Sequence, residues 1–383
     1  MGLSIDTGFF PIMAWGSTPG DISILNGMAE CGLNVAGFVT PGDLDLVAQA
    51  GLRAFVMDPR ASEYNFRKID PETVDTNVTN LVKEIGDNPA LMGYFLKDEP
   101  HINEFSGLAV LTEVFQEVSP NKIPYINLYP NYANQNQLGT ENYWEYVEAY
   151  INTVNPPIIS YDHYALMENE PLRDGYYTNL EAMRWASIKY RRPFWNVVLS
   201  TAHFNYRELS SADIRFQVFT TLAYGGKGIS YFTYFSPRFG NCRMAPIDQF
   251  GNRTPTWSYL QNVNMMVQML APTLMELTST GVYHIGEVPK GCLALPGNTL
   301  TRALYGNGNF IVGEFVHSDG SNYIMVVNKD FKNSANFRLE LNDPNSHVYR
   351  VSSYTGRLEE LVDEGDWLAP GQGVLLQVTP KGI

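Results

Sequence analysis

MGYFLKDEP, residues 92–100, is an unbroken apolar and aromatic run that ends on a lysine, two acids and a proline. A run without alternation marks a strand buried on both faces, the usual state of a strand in a parallel sheet. Pro100 cannot donate to a ladder and stops the strand, so Asp98 and Glu99 fall at its C-terminal end. Seven further runs share this form: FFPIMAWG (9–16), NVAGFVTP (34–41), RAFVMDP (53–59), IPYINLYP (123–130), PPIISYDHY (156–164), PFWNVVLS (193–200) and GISYFTYF (228–235). One amphipathic stretch fills each gap: 21–31, 43–50, 71–85, 105–118, 143–154, 177–190 and 212–224. A last helix over 257–277 completes the set. Eight strands alternating with helices, nearly all ending on a polar or aromatic residue, predict an α/β protein with a closed (β/α)8 TIM barrel rather than a doubly wound sheet.

After about residue 286 the texture changes. Short alternating runs such as NYIMVVNKD, ANFRLEL and GVLLQVTP follow one another, punctuated by NG, DG and TG turns, with no helical period. They predict a small all-β sandwich. The expected domains are a barrel over 8–282 and a sandwich over 286–383, which suits a chain of 383 residues, since a barrel takes about 250.

A net charge of −14 argues against nucleic acid and anionic membrane surfaces as partners, because both demand basic patches. It also disfavours a strongly acidic polysaccharide, unless a local basic cleft overrides the global sign. No apolar run reaches membrane-spanning length. Cys31, Cys242 and Cys292 are scattered, so at most one bridge is expected and no zinc spacing. HExxH, GxGxxG, phosphate-loop and GxSxG motifs are absent, and neither metal nor cofactor is expected. The N-terminus has no basic, apolar leader; the expectation is a periplasmic or extracellular protein whose signal peptide has been removed.

The chemistry of a barrel sits at the C-terminal strand ends. Those ends offer Trp15, Asp98, Glu99, Asn127, Asp162, His163, Tyr164, Asn196, His203 and Tyr234. Glycosidic cleavage needs such a ring: a carboxylic acid to protonate the leaving oxygen, a carboxylate at the anomeric carbon or on water, and aromatics and amides to hold the sugar. Glu99 is the sharpest candidate, held between a strand and a proline where partial burial raises a carboxyl toward neutral pH. The competing reading is an acid at a helix start. Asp98 and Glu99 are expected on opposite faces of their strand. Asp58, before Pro59, reads as a turn former.

GYFLKDEP resembles the fourth-strand motif of clan-A-type barrel glycoside hydrolases, where the Glu before Pro is the general acid/base. SADIRFQVFTTLAYGGKGISYFTYF (211–235) resembles the seventh helix and eighth strand of their β-galactosidase-like members, and NYIMVVNKD and LAPGQGVLLQV resemble their terminal β-sandwich. The resemblance implies an enzyme cleaving O-glycosidic bonds in an oligo- or polysaccharide, with Glu99 as acid/base. One departure stands out. The family's nucleophile is a Glu on the seventh strand, and FWNVVLSTAHF has no carboxylate. Asp162 is the expected substitute, Glu208 the alternative. Trp15, Asp98, Asn127, His163, Tyr164, Asn196, His203 and Tyr234 are the expected sugar contacts. The rival readings are a degenerate barrel that binds glycans without cleaving them, and a lyase or isomerase relaying protons through His163.

Overall fold

A computed structural model describes residues 8–296, 300–361 and 366–380. Eight parallel strands close into a barrel: β1 (Ile12–Ala14), β2 (Val35–Val39), β3 (Arg53–Val56), β4 (Leu91–Asp98), β5 (Ile123–Leu128), β6 (Ile159–Asp162), β7 (Phe194–Leu199) and β8 (Ile229–Phe232). β8 returns to β1 at Ile12↔Ile229, and no edge remains. The connecting helices are Ile22–Glu30, Leu44–Gln49, Pro71–Ile85, Phe105–Val118, Tyr143–Val154, Tyr176–Tyr190 and Ser211–Ala223, with Pro255–Glu276 following β8.

Alternation along each strand divides two cores. Met13, Val35, Phe55, Met92, Tyr125, Trp195 and Val197 point inward and fill the barrel. Their neighbours Ala14, Ala36, Val56, Leu91, Ile126 and Val198 point outward under the helices. Burial of each large apolar side chain contributes about 1.5–3 kcal/mol, so the interior is a packed core and only its top can hold substrate.

The remaining strands are β9 (Leu277–Ile285), β10 (Leu293–Ala294), β11 (Thr301–Gly306), β12 (Phe310–His317), β13 (Asn322–Asn328), β14 (Ala335–Leu341), β15 (His347–Val351), β16 (Leu358–Glu360), β17 (Asp366–Leu368) and β18 (Gly373–Thr379). They form a seven-stranded sheet in the order β10-β9-β12-β13-β18-β15-β16, and a three-stranded sheet, β11-β14-β17. Leu304, Ala335, Phe337 and Leu368 of the small sheet pack on Phe310, Ile324 and Leu376 of the large one, which makes a sandwich. β9 follows Glu276 directly and pairs along β12. The sheet therefore starts at Leu277 rather than near 286; only the alternation of its side chains betrays the strand, because no turn residue separates it from the helix.

The large sheet is covered on its other face too. Ile311, Phe315, Met325, Val327 and Leu375 join the core around helix Ser211–Ala223. Eleven of that helix's thirteen residues are buried, among them Asp213, Gln217, Thr220 and Thr221, whose side chains all find hydrogen-bond partners. Three glycines set the distance. A Cβ at Gly313 meets the carbonyl oxygen of Ala223, one at Gly371 that of Ala212, and one at Gly373 the ring of Phe219.

Candidate active site

Strand β4 does not keep its alternation. Its pairing with β5 shifts register between Phe95 and Lys97, the mark of a β-bulge. Phe95 packs inward, Leu96 packs outward, and Lys97 also lies outside, where its Nζ pairs with Glu104 at 3.3 Å. The extra residue re-phases the strand, so Asp98 takes the inward position beside Asn127. Glu99 then adopts a left-handed backbone, φ +46°, which a residue with a side chain seldom does. This breaks the alternation expected of Asp98 and Glu99, and both carboxyls meet at the mouth. Glu99 is not a helix-start acid: Glu104 fills that role, accepting from the His101 N–H at 2.9 Å, and the helix begins at Phe105.

Asn127 organises the floor. Tyr125 and Ser160 share a hydrogen bond of 2.7 Å, and the Ser160 hydroxyl donates to Asn127 Oδ1 at 2.9 Å. With its oxygen so engaged, the amide Nδ2 must face upward, and it donates to Asp98 Oδ1 at 3.2 Å and Asp162 Oδ1 at 2.9 Å. The Glu99 N–H donates to the Asn127 carbonyl at 2.8 Å. Two aspartates thus share one amide, and the Glu99 carboxyl lies close enough for its charge to act on Asp162 and to feel that of Asp98.

Their protonation follows from crowding. Asp98 touches solvent, but protein crowds its carboxyl on the other sides, and the lost hydration pushes it up to about 6 against the pull of Asn127. Burial first, and the Asp98 charge second, push Glu99 up to about 7. Asp162, only 6% exposed, is raised well above the ordinary carboxyl range by burial, with the charges of Glu99 and then Asp98 adding to it. Three carboxyls this close cannot all ionise at neutral pH.

Other candidates fall into two groups. Trp15 lies in the barrel interior with Phe38 and Tyr125 at ring distances of 4.9 and 5.7 Å. Tyr164 feels the charges of Asp162, Asp98 and Glu99, and His203 packs beside it at 6.0 Å with Nδ1 against the Thr201 carbonyl at 2.8 Å. Tyr164 and His203 stand at the mouth, whereas Trp15 belongs to the packed interior, its ring taken up by Phe38, Phe95 and Tyr125. His163, Asn196 and Tyr234 do not join them. His163 has the outward phase after Asp162; its Nδ1 donates to Asn179 Oδ1 at 3.1 Å, and burial lowers its pKa to about 3, so it is neutral. Asn196 lies outward between Trp195 and Val197 and donates to Thr221 Oγ1 at 2.8 Å. The Tyr234 hydroxyl accepts from Trp257 Nε1 at 2.9 Å and turns to Gly27. Strand-end position marked all three, but Asn196 and Tyr234 turn to the surrounding helices, and His163, held by Asn179, packs on the Tyr132 ring at 4.9 Å rather than facing the carboxyls.

Glu208 is exposed and held by Arg243 at 3.0 Å, and Asp58 caps the turn after β3 through the Arg60 N–H at 2.9 Å. The structure adds residues that the sequence did not single out. Tyr132, after β5, feels the Asp162 charge. Arg173, after β6, lies 4.2 Å from the Tyr132 ring centre. Phe204 and Phe239, after β7 and β8, are 62% and 49% exposed, with ring centres 6.3 Å apart. Exposed aromatics on strand-end loops were the available signal. Among the described residues, no group of three or more His, Cys, Asp or Glu is arranged to hold a metal ion, the three cysteines are free thiols, and no helix is long and apolar enough to cross a membrane.

No protein-family model matches the chain, and no curated protein matches it. Solved structures do. A family 5 glycoside hydrolase from Bacteroides vulgatus is 12% identical with a TM-score of 0.60, over 97% of this chain and 89% of that one. A GH27 β-L-arabinopyranosidase from Geobacillus stearothermophilus is 10% identical with a TM-score of 0.51, over 99% and 100%. A β-galactosidase from the psychrophilic Marinomonas ef1 is 12% identical with a TM-score of 0.53; the alignment takes in 70% of this chain and 62% of that longer one. The chain therefore shares the fold of clan-A-type glycoside hydrolases, a closed (β/α)8 barrel followed by a β-domain.

Proposed function

We propose that this protein is a glycoside hydrolase in which Glu99 donates the proton to the leaving oxygen. One observation carries the reading: Asp98 and Asp162 share the Asn127 amide at the barrel mouth, with the Glu99 carboxyl near enough to feel the Asp98 charge and to act on Asp162. A carboxyl pushed up to about 7 is still protonated where a general acid must work, and can take the proton back afterwards. Its partner must be ionised. Asp98 is the more open of the two aspartates and the one closer to the ordinary range, which supports it as the carboxylate that acts at the anomeric carbon or on water. Asp162, expected from the sequence in that role, lies deeper and keeps its proton, sharing the cluster's charge through Asn127. Tyr164 and the Phe204–Phe239 pair supply flat faces for sugar rings, which suits an oligo- or polysaccharide.

The test is release of reducing ends from a broad panel of glycans. Wild type is expected to cleave at least one, and Glu99→Gln to lose about a thousandfold or more of that rate, the scale of a general acid together with its charge. Binding without cleavage of any panel member would sink the enzyme reading. It would instead support a glycan-binding barrel, the reading favoured by the lack of a carboxylate on β7.

A further inference from the structure

Arg173 sits on the loop after β6, and three strand-end loops hold it. Its N–H donates to the Ala165 carbonyl at 2.9 Å, closing the loop on itself, and Met167 bridges to Tyr206 of the loop after β7. The guanidinium lies 4.2 Å from the ring centre of Tyr132 and 5.4 Å from that of Tyr206, in cation–π contact with both. Of its five N–H donors, one meets the Tyr206 hydroxyl and one the Met167 sulfur, each at 3.4 Å. The first is long for a hydrogen bond to oxygen, the second goes to a weakly accepting thioether, and neither acceptor is charged. Among the described residues no ion pair joins Arg173 to a carboxylate; Arg215 and Arg192, also without one, donate instead to the Pro370 carbonyl and the Asn155 amide oxygen at 2.8 and 2.9 Å. In a chain with 40 acidic residues against 26 basic ones, a half-buried guanidinium set between two tyrosine rings, with no carboxylate and no carbonyl accepting from it, is available to an anion from outside.

The site is next to the chemistry. Tyr132, which supports Arg173, feels the charges of both Asp162 and Arg173, and Tyr206 packs on Tyr164 at 5.6 Å. We infer that Arg173 recognises the carboxylate of a uronic acid, and that the substrate is an acidic oligosaccharide despite the protein's net negative charge. The guanidinium fork matches a planar carboxylate. The tyrosine rings that hold it also offer stacking faces to the sugar bearing that group. This inference refines the glycosidase reading and names its substrate class.

The experiment is calorimetric titration of wild type and of Glu99→Gln with oligogalacturonides and glucuronoxylan oligosaccharides, each beside its methyl-esterified, uncharged counterpart. The acidic member is expected to bind more tightly than its ester. Arg173→Gln is expected to erase that difference, a loss of about 10- to 100-fold, the usual scale of a charge-assisted hydrogen bond. Arg173→Lys, which keeps the charge and controls for folding, should retain part of it. Equal loss for acid and ester in Arg173→Gln, no preference for the acid in wild type, or binding of neither would overturn the inference. Hydrolysis of a neutral glycan without acid preference defeats this inference and leaves the glycosidase reading intact. Arg173-dependent acid preference without hydrolysis does the reverse.

Discussion

Replacing Glu99 by Gln keeps the side chain's shape and removes one proton site from the crowded mouth, so its effect on stability can be worked out without knowing the substrate. Burial, with the Asp98 charge adding to it, holds this carboxyl at about 7 against an ordinary 4.5. A carboxyl that folding makes more basic costs nothing below its unfolded value and imposes its full penalty above its folded one. Wild-type stability therefore loses this contribution as pH rises from 4.5 to about 7. Each tenfold change in proton affinity is worth about 1.4 kcal/mol, which sets a ceiling of roughly 3 kcal/mol here. Solvent reaching the half-buried group reduces that to about 1–2 kcal/mol. Gln carries no such penalty. Urea unfolding of the two proteins should coincide within about 0.5 kcal/mol near pH 4.5, and Glu99→Gln should be the more stable by about 1–2 kcal/mol near pH 8.5. The left-handed backbone is common to both proteins and cancels. An offset that is the same at both pH values, or a variant less stable at the higher one, would refute the claim that folding forces this carboxyl toward neutrality.

Asn127→Leu removes the amide that stabilises the ionised forms of Asp98 and Asp162, so the acid limb of the kcat/KM–pH profile should move up by about one unit; an unmoved or lowered limb contradicts the bridging role. Asp98→Asn should depress kcat about as severely as Glu99→Gln, whereas Asp162→Asn should cost roughly tenfold and shift the profile. Comparable losses in both aspartate variants would return Asp162 to a direct catalytic role. Gly313→Ala places a methyl against the Ala223 carbonyl and should cost about 3 kcal/mol of stability by overpacking, read as a lowered urea midpoint with unchanged KM.

The barrel was legible because its signals are redundant. Seven of the eight strands lie within the apolar runs and β4 begins one residue ahead of its own, and helix Phe105–Val118 spans the same residues as its amphipathic stretch. The site was half legible. Residue type and strand-end position pointed to Asp98, Glu99, Asn127 and Asp162, and counting phase from Trp195 and Val197 would have turned Asn196 away from the mouth. The bulge after Phe95 and the positive φ of Glu99 obey no period, because one inserted residue is set by pairing with β5 and not by local preference. Arg173 and Tyr132 lie on loops, where tertiary contacts alone decide which side chains meet.

The close seating of helix Ser211–Ala223 on the large sheet bears on what can move. Backbone rests against backbone at Gly313 and Gly371, and Arg215 Nε donates to the Pro370 carbonyl at 2.8 Å. A hinge needs a thin seam that can part at little cost, and here the seam is a shared interior. Swinging the β-domain away, or cutting the chain after Glu276, would strip Phe216, Phe219 and Leu222 of their cover and leave a sticky, incomplete barrel. The sandwich is thus no detachable accessory, and access to the carboxylates falls to the strand-end loops alone.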